Sequence, residues 1–220
     1  MIIWLIAAFV FGALIPYMAR RFAKFMPATF AGAIFELCRP EKKLSIYRQN
    51  ALYKKFLWRS FMSGLLTLTL TFIALSQFSF SVMLIIYIWI LLLLAEIDIR
   101  SFILPDILTI PLLLLGITAS YLGKSHILID ESIYGALVGY FLPVVVSLLI
   151  VWYKKDAFGG GDIKLLSAIG SWLGVEGLLY VITSAAILGL LWALFKKKKS
   201  LAFGPMLSLS GIIILFFIRF

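Results

Sequence analysis

The sequence has very little of the chemistry that most soluble enzymes use. Its 220 residues include one cysteine and one histidine. The lone Cys38 excludes an internal disulfide and a cysteine-rich zinc site. The lone His126 excludes the two-histidine motif of zinc metalloproteases, and it lies in a short polar loop far from any candidate nucleophile for a Ser-His-Asp triad. We therefore expect no metal and no cofactor.

Charge is also scarce. Only 14% of the residues are charged and 63% are hydrophobic, whereas an ordinary globular domain is about a quarter charged. Apolar runs of membrane length recur along the whole chain. A soluble protein would have to hide all of these runs in one core, and the chain is too short for that. The composition predicts an all-α polytopic membrane protein.

We predict about eight transmembrane segments from the apolar runs. One run is only nine residues long, so it is either a thin span or a re-entrant helix. The runs comprise residues 2–17, 61–75, 79–97, 107–122, 133–153, 165–173 (the short one), 178–195 and 201–218.

The positive charges predict the orientation of these segments. Arg20 and Arg21 follow the first run instead of preceding it, which favours an uncleaved helix with its N-terminus outside. Eighteen of the twenty Lys and Arg residues then fall in loops on the cytoplasmic face: 20–59, 98–106, 154–164 and 196–200. This asymmetry explains the net charge of +10 without nucleic acid, and Lys196–Lys199 are expected to contact anionic membrane lipids. We expect residues 1–60 to form a first helix plus a basic cytoplasmic loop, and residues 61–220 to form a helical membrane core.

Two aspartates occupy positions where a carboxylate is costly. Asp98 closes the apolar run that begins near residue 79, and Asp162 closes a glycine triplet just before another apolar stretch. One helical hairpin separates them, so we expect both at the same cytoplasmic boundary. Two carboxylates about 3 Å apart share one proton, and such a pair can hydrolyse a peptide bond by general acid–base catalysis.

The neighbours of Asp162 support this hypothesis but also allow a structural interpretation. Gly159 and Gly161 lack a Cβ, which lets the backbone approach a substrate closely. Alternatively, the triplet is a flexible turn and Asp162 caps the helix that follows. Lys164 is expected to pair with Asp162 or with a substrate carboxylate, unless it is an interfacial lysine whose ammonium reaches water.

Two further acids lie near Asp98. Asp106 follows Pro105, a combination typical of a helix start, so structural capping is the expected role. Asp106 is nevertheless the main rival to Asp98 as the first catalytic acid. Glu96 is about 200° around the helix from Asp98 and is expected to face elsewhere.

Other function classes explain less of the sequence. A proton-coupled transporter could use the same carboxylates, but its acids usually lie near the bilayer midplane on broken helices with internal pseudo-symmetry. A structural component of a pilus or secretion machine would leave both aspartates unexplained.

Three segments carry a resemblance to a known family. IDIRSFILPDILTIP at 97–111, GGGDIKLL at 159–166 and Ala202-Phe203-Gly204-Pro205 resemble the motifs of bacterial type IV prepilin peptidases, which are GxGD-type aspartic proteases; the opening Phe9-Val10-Phe11-Gly12 is also similar. The resemblance implies a multi-pass inner-membrane endopeptidase that removes the basic leader of prepilins or pseudopilins at the cytoplasmic boundary. It implies Asp98 and Asp162 as the catalytic pair, with Asp106 in the motif but not catalytic.

The first predicted loop departs from the family pattern. Many members carry paired CxxC zinc motifs there and also N-methylate the new terminus, whereas this loop is short and holds only Cys38. The resemblance therefore implies a variant without the zinc loop, and it favours leader cleavage over N-methylation. The related presenilin-like enzymes use YD and PAL elements, while this chain has Ile97-Asp98 and no PAL.

Overall fold

The computed structural model describes residues 1–25, 49–77, 82–151, 159–196 and 202–217. Within these ranges the regular secondary structure is entirely helical and comprises seven helices. They are α1 (Ile2–Phe25), α2 (Gln49–Gln77), α3 (Val82–Ser101), α4 (Asp106–Tyr121), α5 (Ile129–Val151), α6 (Gly160–Lys196) and α7 (Gly204–Phe217). Cys38, Lys154, Lys155 and most of the basic segment between α1 and α2 lie outside the described residues.

Five of the helices are long and apolar enough to cross a membrane, namely α1, α2, α3, α5 and α6. α4 and α7 are shorter apolar helices. Every predicted apolar run falls largely within one of these helices, so the prediction of an all-α polytopic membrane protein is confirmed. The number of crossings, the side of the N-terminus and the division into residues 1–60 and 61–220 stay predictions.

The chain divides into two compact units, Met1–Ser101 and Phe102–Phe220. In the first unit, α2 runs antiparallel to α1 along a seam of small residues. The Ser63 hydroxyl donates to the Gly12 carbonyl at 2.7 Å, and a Cβ at Gly12 would collide with the Thr67 side chain. Small residues let two membrane helices approach closely, which strengthens their van der Waals contact.

α3 packs against both of these helices and is the most enclosed of the membrane-length helices. The Trp89 ring stacks on Phe11 with 4.8 Å between centroids, and its Nε1 donates to the Thr71 hydroxyl at 3.0 Å. This hydrogen bond satisfies an indole N–H that would otherwise lie unpaired in an apolar environment. Protein surrounds α3 more completely than the other long helices. In α3, 61% of an 18-residue apolar stretch is buried, compared with 17–28% of the corresponding stretches in the other four helices.

In the second unit, the first half of α6 lies between α4 and α5. It runs antiparallel to α5, with Gly170 so close to Gly135 that neither position has room for a Cβ. The Ser167 hydroxyl donates to the Ala136 carbonyl at 2.8 Å. It runs parallel to α4, where the Trp172 Nε1 donates to the Leu112 carbonyl at 2.9 Å.

Gly174 breaks α6 into two parts. Its φ of 70° and ψ of −175° are not helical, and a positive φ favours glycine. Gly174 lies next to Ile127 and Glu131, at the start of α5. Residues 166–174 therefore follow α5 from Gly139 back to Glu131, towards its beginning. The short apolar run at 165–173 belongs to a helix that extends along its neighbour without turning back midway.

Candidate active site

Asp98 lies in the last turn of α3, and only 4% of its surface is exposed. The apolar run that precedes it forms this helix because nothing polar interrupts it before Glu96. A carboxylate enclosed in an apolar helix end is a functional candidate, since burial without a purpose would be costly. The structure thus places Asp98 where the sequence predicted it, at the end of a membrane-length helix.

Glu96 has two arginine partners, which the sequence argument did not foresee. Arg100 Nη2 lies 2.7 Å and Arg100 Nε 2.9 Å from Glu96 Oε1. Arg59 Nη2 of α2 lies 3.1 Å from both carboxylate oxygens. The Glu96–Arg100 spacing of four residues was a usable signal in the sequence. The Arg59 contact depends on how α2 aligns with α3, which the sequence does not reveal.

The segment between α3 and α4 is short and has an unusual backbone. Phe102 directly follows α3 and has a φ of 55°, in the left-handed region that a side chain with a Cβ rarely adopts. Pro105 has extended dihedrals at the N-cap of α4, and its carbonyl accepts from the N–H groups of Leu108 and Thr109. Asp106 occupies the first turn of α4, where its negative charge is favourable at the positive end of the helix dipole. The predicted helix start at Pro105-Asp106 is confirmed.

Asp162 lies in the first turn of α6 and is partly buried. The Gly159 carbonyl accepts from the Asp162 N–H at 3.0 Å and from the Ile163 N–H at 3.3 Å, which starts the helix. A Cβ built on Gly159 would lie 3.3 Å from Asp162 Oδ2, so the carboxylate folds back over the start of its own helix. The helix N-terminus favours this charge, because its unpaired N–H groups are partly positive.

Gly161 brings the start of α6 against the segment before α4. A Cβ at Gly161 would lie 2.9 Å from Leu104 Cβ and 3.4 Å from the Leu104 backbone nitrogen. Gly160 differs, because a Cβ there would meet nothing within 4 Å among the described residues. The three glycines therefore differ in their surroundings. Gly161 is required for close packing against Leu104, and Gly159 leaves room for the Asp162 carboxylate. Gly160 has space for a side chain among the described residues.

Lys164 forms an ion pair with Asp106, and its Nζ lies 2.6 Å from Asp106 Oδ2. The sequence suggested Asp162 or a substrate carboxylate as its partner, whereas the structure gives it the acid at the start of α4. Because α4 and the first half of α6 run parallel, their N-termini lie at the same end of the unit. This geometry confirms that the intervening hairpin returns the chain to the end from which α4 started.

The predicted site residues fall into two groups. Five of them lie in the second unit and are linked by the contacts just described: Asp106, Gly159, Gly161, Asp162 and Lys164. Asp98 lies in the first unit, two residues after Glu96 on α3. Within the described residues, His, Cys, Asp and Glu side chains form no group of three or more that could hold a metal ion.

Comparisons with known proteins point to the family that the motifs suggested. Residues 85–194 match the model of the type IV leader peptidase family, and this half of the chain contains both Asp98 and Asp162. No solved structure matches the chain.

Three curated relatives illustrate the similarity. A prepilin leader peptidase/N-methyltransferase of Xanthomonas campestris pv. campestris is 37% identical over 137 residues, which cover 56% of this chain and 45% of the relative. One of Dichelobacter nodosus is 39% identical over 122 residues, or 54% of this chain and 42% of the relative. A type 4 prepilin-like proteins leader peptide-processing enzyme of Escherichia coli O78:H11 is 35% identical over 122 residues, or 53% and 44%. The match thus spans less than half the length of these relatives. On the family match over half of its length, the chain belongs to the type IV leader peptidase family.

Proposed function

We propose that this protein is an aspartic endopeptidase that removes the basic leader from type IV prepilins or pseudopilins. The proposal places it in the bacterial inner membrane, with cleavage at the cytoplasmic face. One observation carries it: the segment that matches the family contains two aspartates, each in the terminal turn of an apolar helix. The names of the relatives, which refer to prepilin leader peptides, supply the substrate class.

In the proposed mechanism Asp98 and Asp162 share one proton. The ionised carboxylate accepts a proton from water while the water oxygen bonds to the scissile carbonyl carbon. The protonated carboxyl donates its proton to the carbonyl oxygen, which gives a tetrahedral intermediate. The carboxyl that took the water proton then donates it to the amide nitrogen as the C–N bond breaks, and the other carboxylate takes a proton from the collapsing diol, which restores the starting pair. This scheme needs no cofactor, and it uses the enclosure of Asp98 to limit competition from bulk water.

The remaining site residues are proposed to support Asp162. Gly161 lets Leu104 pack against the start of α6, and Gly159 leaves space for the carboxylate. Lys164 and Asp106 join the first turns of α6 and α4. In this proposal Asp106 holds the frame while Asp98 provides the catalytic acid, although both belong to the same sequence motif.

We also propose that this chain cleaves without N-methylating its product. The support is its cysteine content, because one cysteine cannot supply the paired CxxC ligands of the family's zinc loop. Determining the mass and the first residue of the cleaved product tests this point. A methylated N-terminus produced by the purified protein would contradict it.

Asparagine substitution tests the aspartic mechanism. Asp98→Asn and Asp162→Asn should each reduce cleavage of a reconstituted prepilin by at least about 10³-fold, because each removes a group that acts in the reaction. Asp130→Asn is the matched control, since Asp130 is an exposed acid in the first turn of α5. Full cleavage by either catalytic-pair variant would refute the mechanism. Solute-dependent proton uptake by proteoliposomes without peptide cleavage would support a transporter instead.

A further inference from the structure

The end of α3 carries a second carboxylate that the proposed reaction does not use. The Glu96 side chain is 14% exposed and contacts two arginines, one on its own helix and one on α2. Arg100 is only four residues away on α3, so it orients the Glu96 side chain without connecting α3 to another helix. Arg59 does connect two helices, because it lies near the start of the membrane-length part of α2.

Glu96 lies on the same face of α3 as Trp89. The two residues are seven positions apart, which is about two helical turns. Trp89 binds Thr71 of α2 and stacks on Phe11 of α1. One face of α3 is therefore attached at two levels, by an indole near its middle and by an ion pair near its end. Two attachments along one face fix the rotation of a helix about its own axis better than one.

Asp98 projects from a different side of α3. It lies two residues, or about 200°, from Glu96, and its carboxylate is about 5–6 Å from the helix axis. A rotation of about 10° would therefore move this carboxylate by about 1 Å. A displacement of that size can reduce a reaction rate by about 10²-fold, because the reacting groups lose their alignment.

We propose that Glu96 is a positioning residue: through Arg59 it fixes the rotation of α3 and thereby the place of the Asp98 carboxylate. This inference rests on the proposed function, in which Asp98 is catalytic. A purely structural role makes a different prediction. The Arg59 side chain is 50% exposed, and ion pairs with an exposed partner contribute little to stability. Loss of Glu96 should therefore change the thermal midpoint by no more than about 4 °C, so a drop in kcat would not be caused by unfolding.

Four variants test the proposal in proteoliposomes that contain the full chain and a type IV prepilin. Glu96→Gln and Arg59→Gln should lower kcat by about two- to fivefold while KM stays unchanged, because a contact of this strength can favour the productive rotation by no more than about that factor. Arg59→Lys should retain most of the rate, because lysine keeps the positive charge that pairs with Glu96. Arg100→Gln should have the smaller effect, since Arg100 cannot fix rotation between helices. Glu176→Gln, on an exposed acid of α6, is the control and should leave kcat unchanged.

A second measurement reports rotation without relying on catalysis. A spin label on a cysteine at Ile99, in a Cys38→Ser background, should change its mobility in Glu96→Gln but not in Glu176→Gln. Ile99 is suited to this because it adjoins Asp98 and is 48% exposed.

The outcomes separate this inference from the proposed function. Normal kcat in Glu96→Gln together with an inactive Asp98→Asn would overturn the positioning role alone. An equal loss of activity in Arg59→Gln and Arg100→Gln would also overturn it, because rotation between helices would then not be the cause. Full cleavage by Asp98→Asn would overturn the proposed function and this inference with it.

Discussion

The strongest single prediction concerns the glycine triplet before Asp162, where the structure separates two adjacent glycines. A Cβ at position 161 would lie 2.9 Å from Leu104 Cβ, whereas a Cβ at position 160 would meet no described atom within 4 Å. Carbon atoms pack best about 3.5–4.0 Å apart. Gly161→Ala must therefore push Leu104 away by roughly 0.6 Å or more, and Gly160→Ala requires no such movement.

The two substitutions share one energetic term and differ in another. Both replace glycine by alanine in the first turn of α6, so both gain about 0.5–1 kcal/mol from the reduced entropy of the unfolded chain and better helix propensity. Only Gly161→Ala crowds Leu104, and such overpacking costs about 1–3 kcal/mol. The difference between the two variants, about 1–3 kcal/mol in favour of Gly160→Ala, measures the close approach of Leu104.

Thermal unfolding in detergent and prepilin cleavage measure the two consequences. The midpoint of Gly160→Ala should equal or exceed that of the unsubstituted protein, and its cleavage rate should be retained. Gly161→Ala should unfold at least a few degrees lower than Gly160→Ala, at about 2–4 °C per kcal/mol for a chain of this size. It should also cleave at least about tenfold more slowly, because the segment that leads to Asp106 is displaced. Equal midpoints for the two variants would refute the reasoning.

Two further predictions concern polar contacts of the second unit. The Lys164 and Asp106 side chains are 41% and 53% exposed, so a double-mutant cycle with Lys164→Met and Asp106→Asn should give a coupling of only about 0.2–1 kcal/mol; a coupling of 3 kcal/mol or more would contradict this. The Ser208 hydroxyl is buried without a hydrogen-bond partner among the described residues, whereas Ser167 donates to the Ala136 carbonyl. Ser208→Ala should therefore raise the thermal midpoint and Ser167→Ala lower it, and a lower midpoint for Ser208→Ala would show that its hydroxyl does have a partner.

The helices could be predicted from the sequence because their signals are local. Long apolar runs form helices in a membrane, where each backbone group must find a partner within its own segment. Pro105 and Asp106 marked the start of α4, since proline presets φ and an acid suits the first turn. The position of Asp162 at the start of α6 followed similarly from the glycines before it. These features depend on a few neighbouring residues and require no knowledge of packing.

The partners of the charged residues could not be predicted, because they depend on how distant helices align. Lys164 pairs with Asp106, 58 positions earlier, through the parallel packing of α4 and α6. Arg59 reaches Glu96, 37 positions later, through the alignment of α2 with α3. The sequence placed Glu96 away from Asp98, but it gave no reason to connect Glu96 with α2. Charge and spacing leave such choices open until packing decides them.

The structure of the short apolar run could not be predicted from the sequence either. Length alone allowed a thin span or a re-entrant helix for residues 165–173. The regular part of this helix runs from Gly160 to the break at Gly174. It is longer than the apolar run because its beginning also includes Asp162 and Lys164. At 1.5 Å per residue, its fourteen residues extend about 21 Å. A count of apolar residues therefore underestimates the length of this helix, because it leaves out the polar residues at its beginning.

The first half of α6, which carries Asp162, is held between α4 and α5. Its serine and tryptophan side chains donate to backbone carbonyls of both neighbours: Ser167 to Ala136, Ser171 to Leu113 and Trp172 to Leu112. A hydrogen bond between membrane helices is worth only about 0.6 kcal/mol on average, so these bonds contribute modestly to stability. They fix the helix in two directions, however, and the contact of Gly135 with Gly170 leaves little room for it to shift. For a carboxylate that is proposed to be catalytic, such as Asp162, a fixed position matters more than the free energy of these bonds.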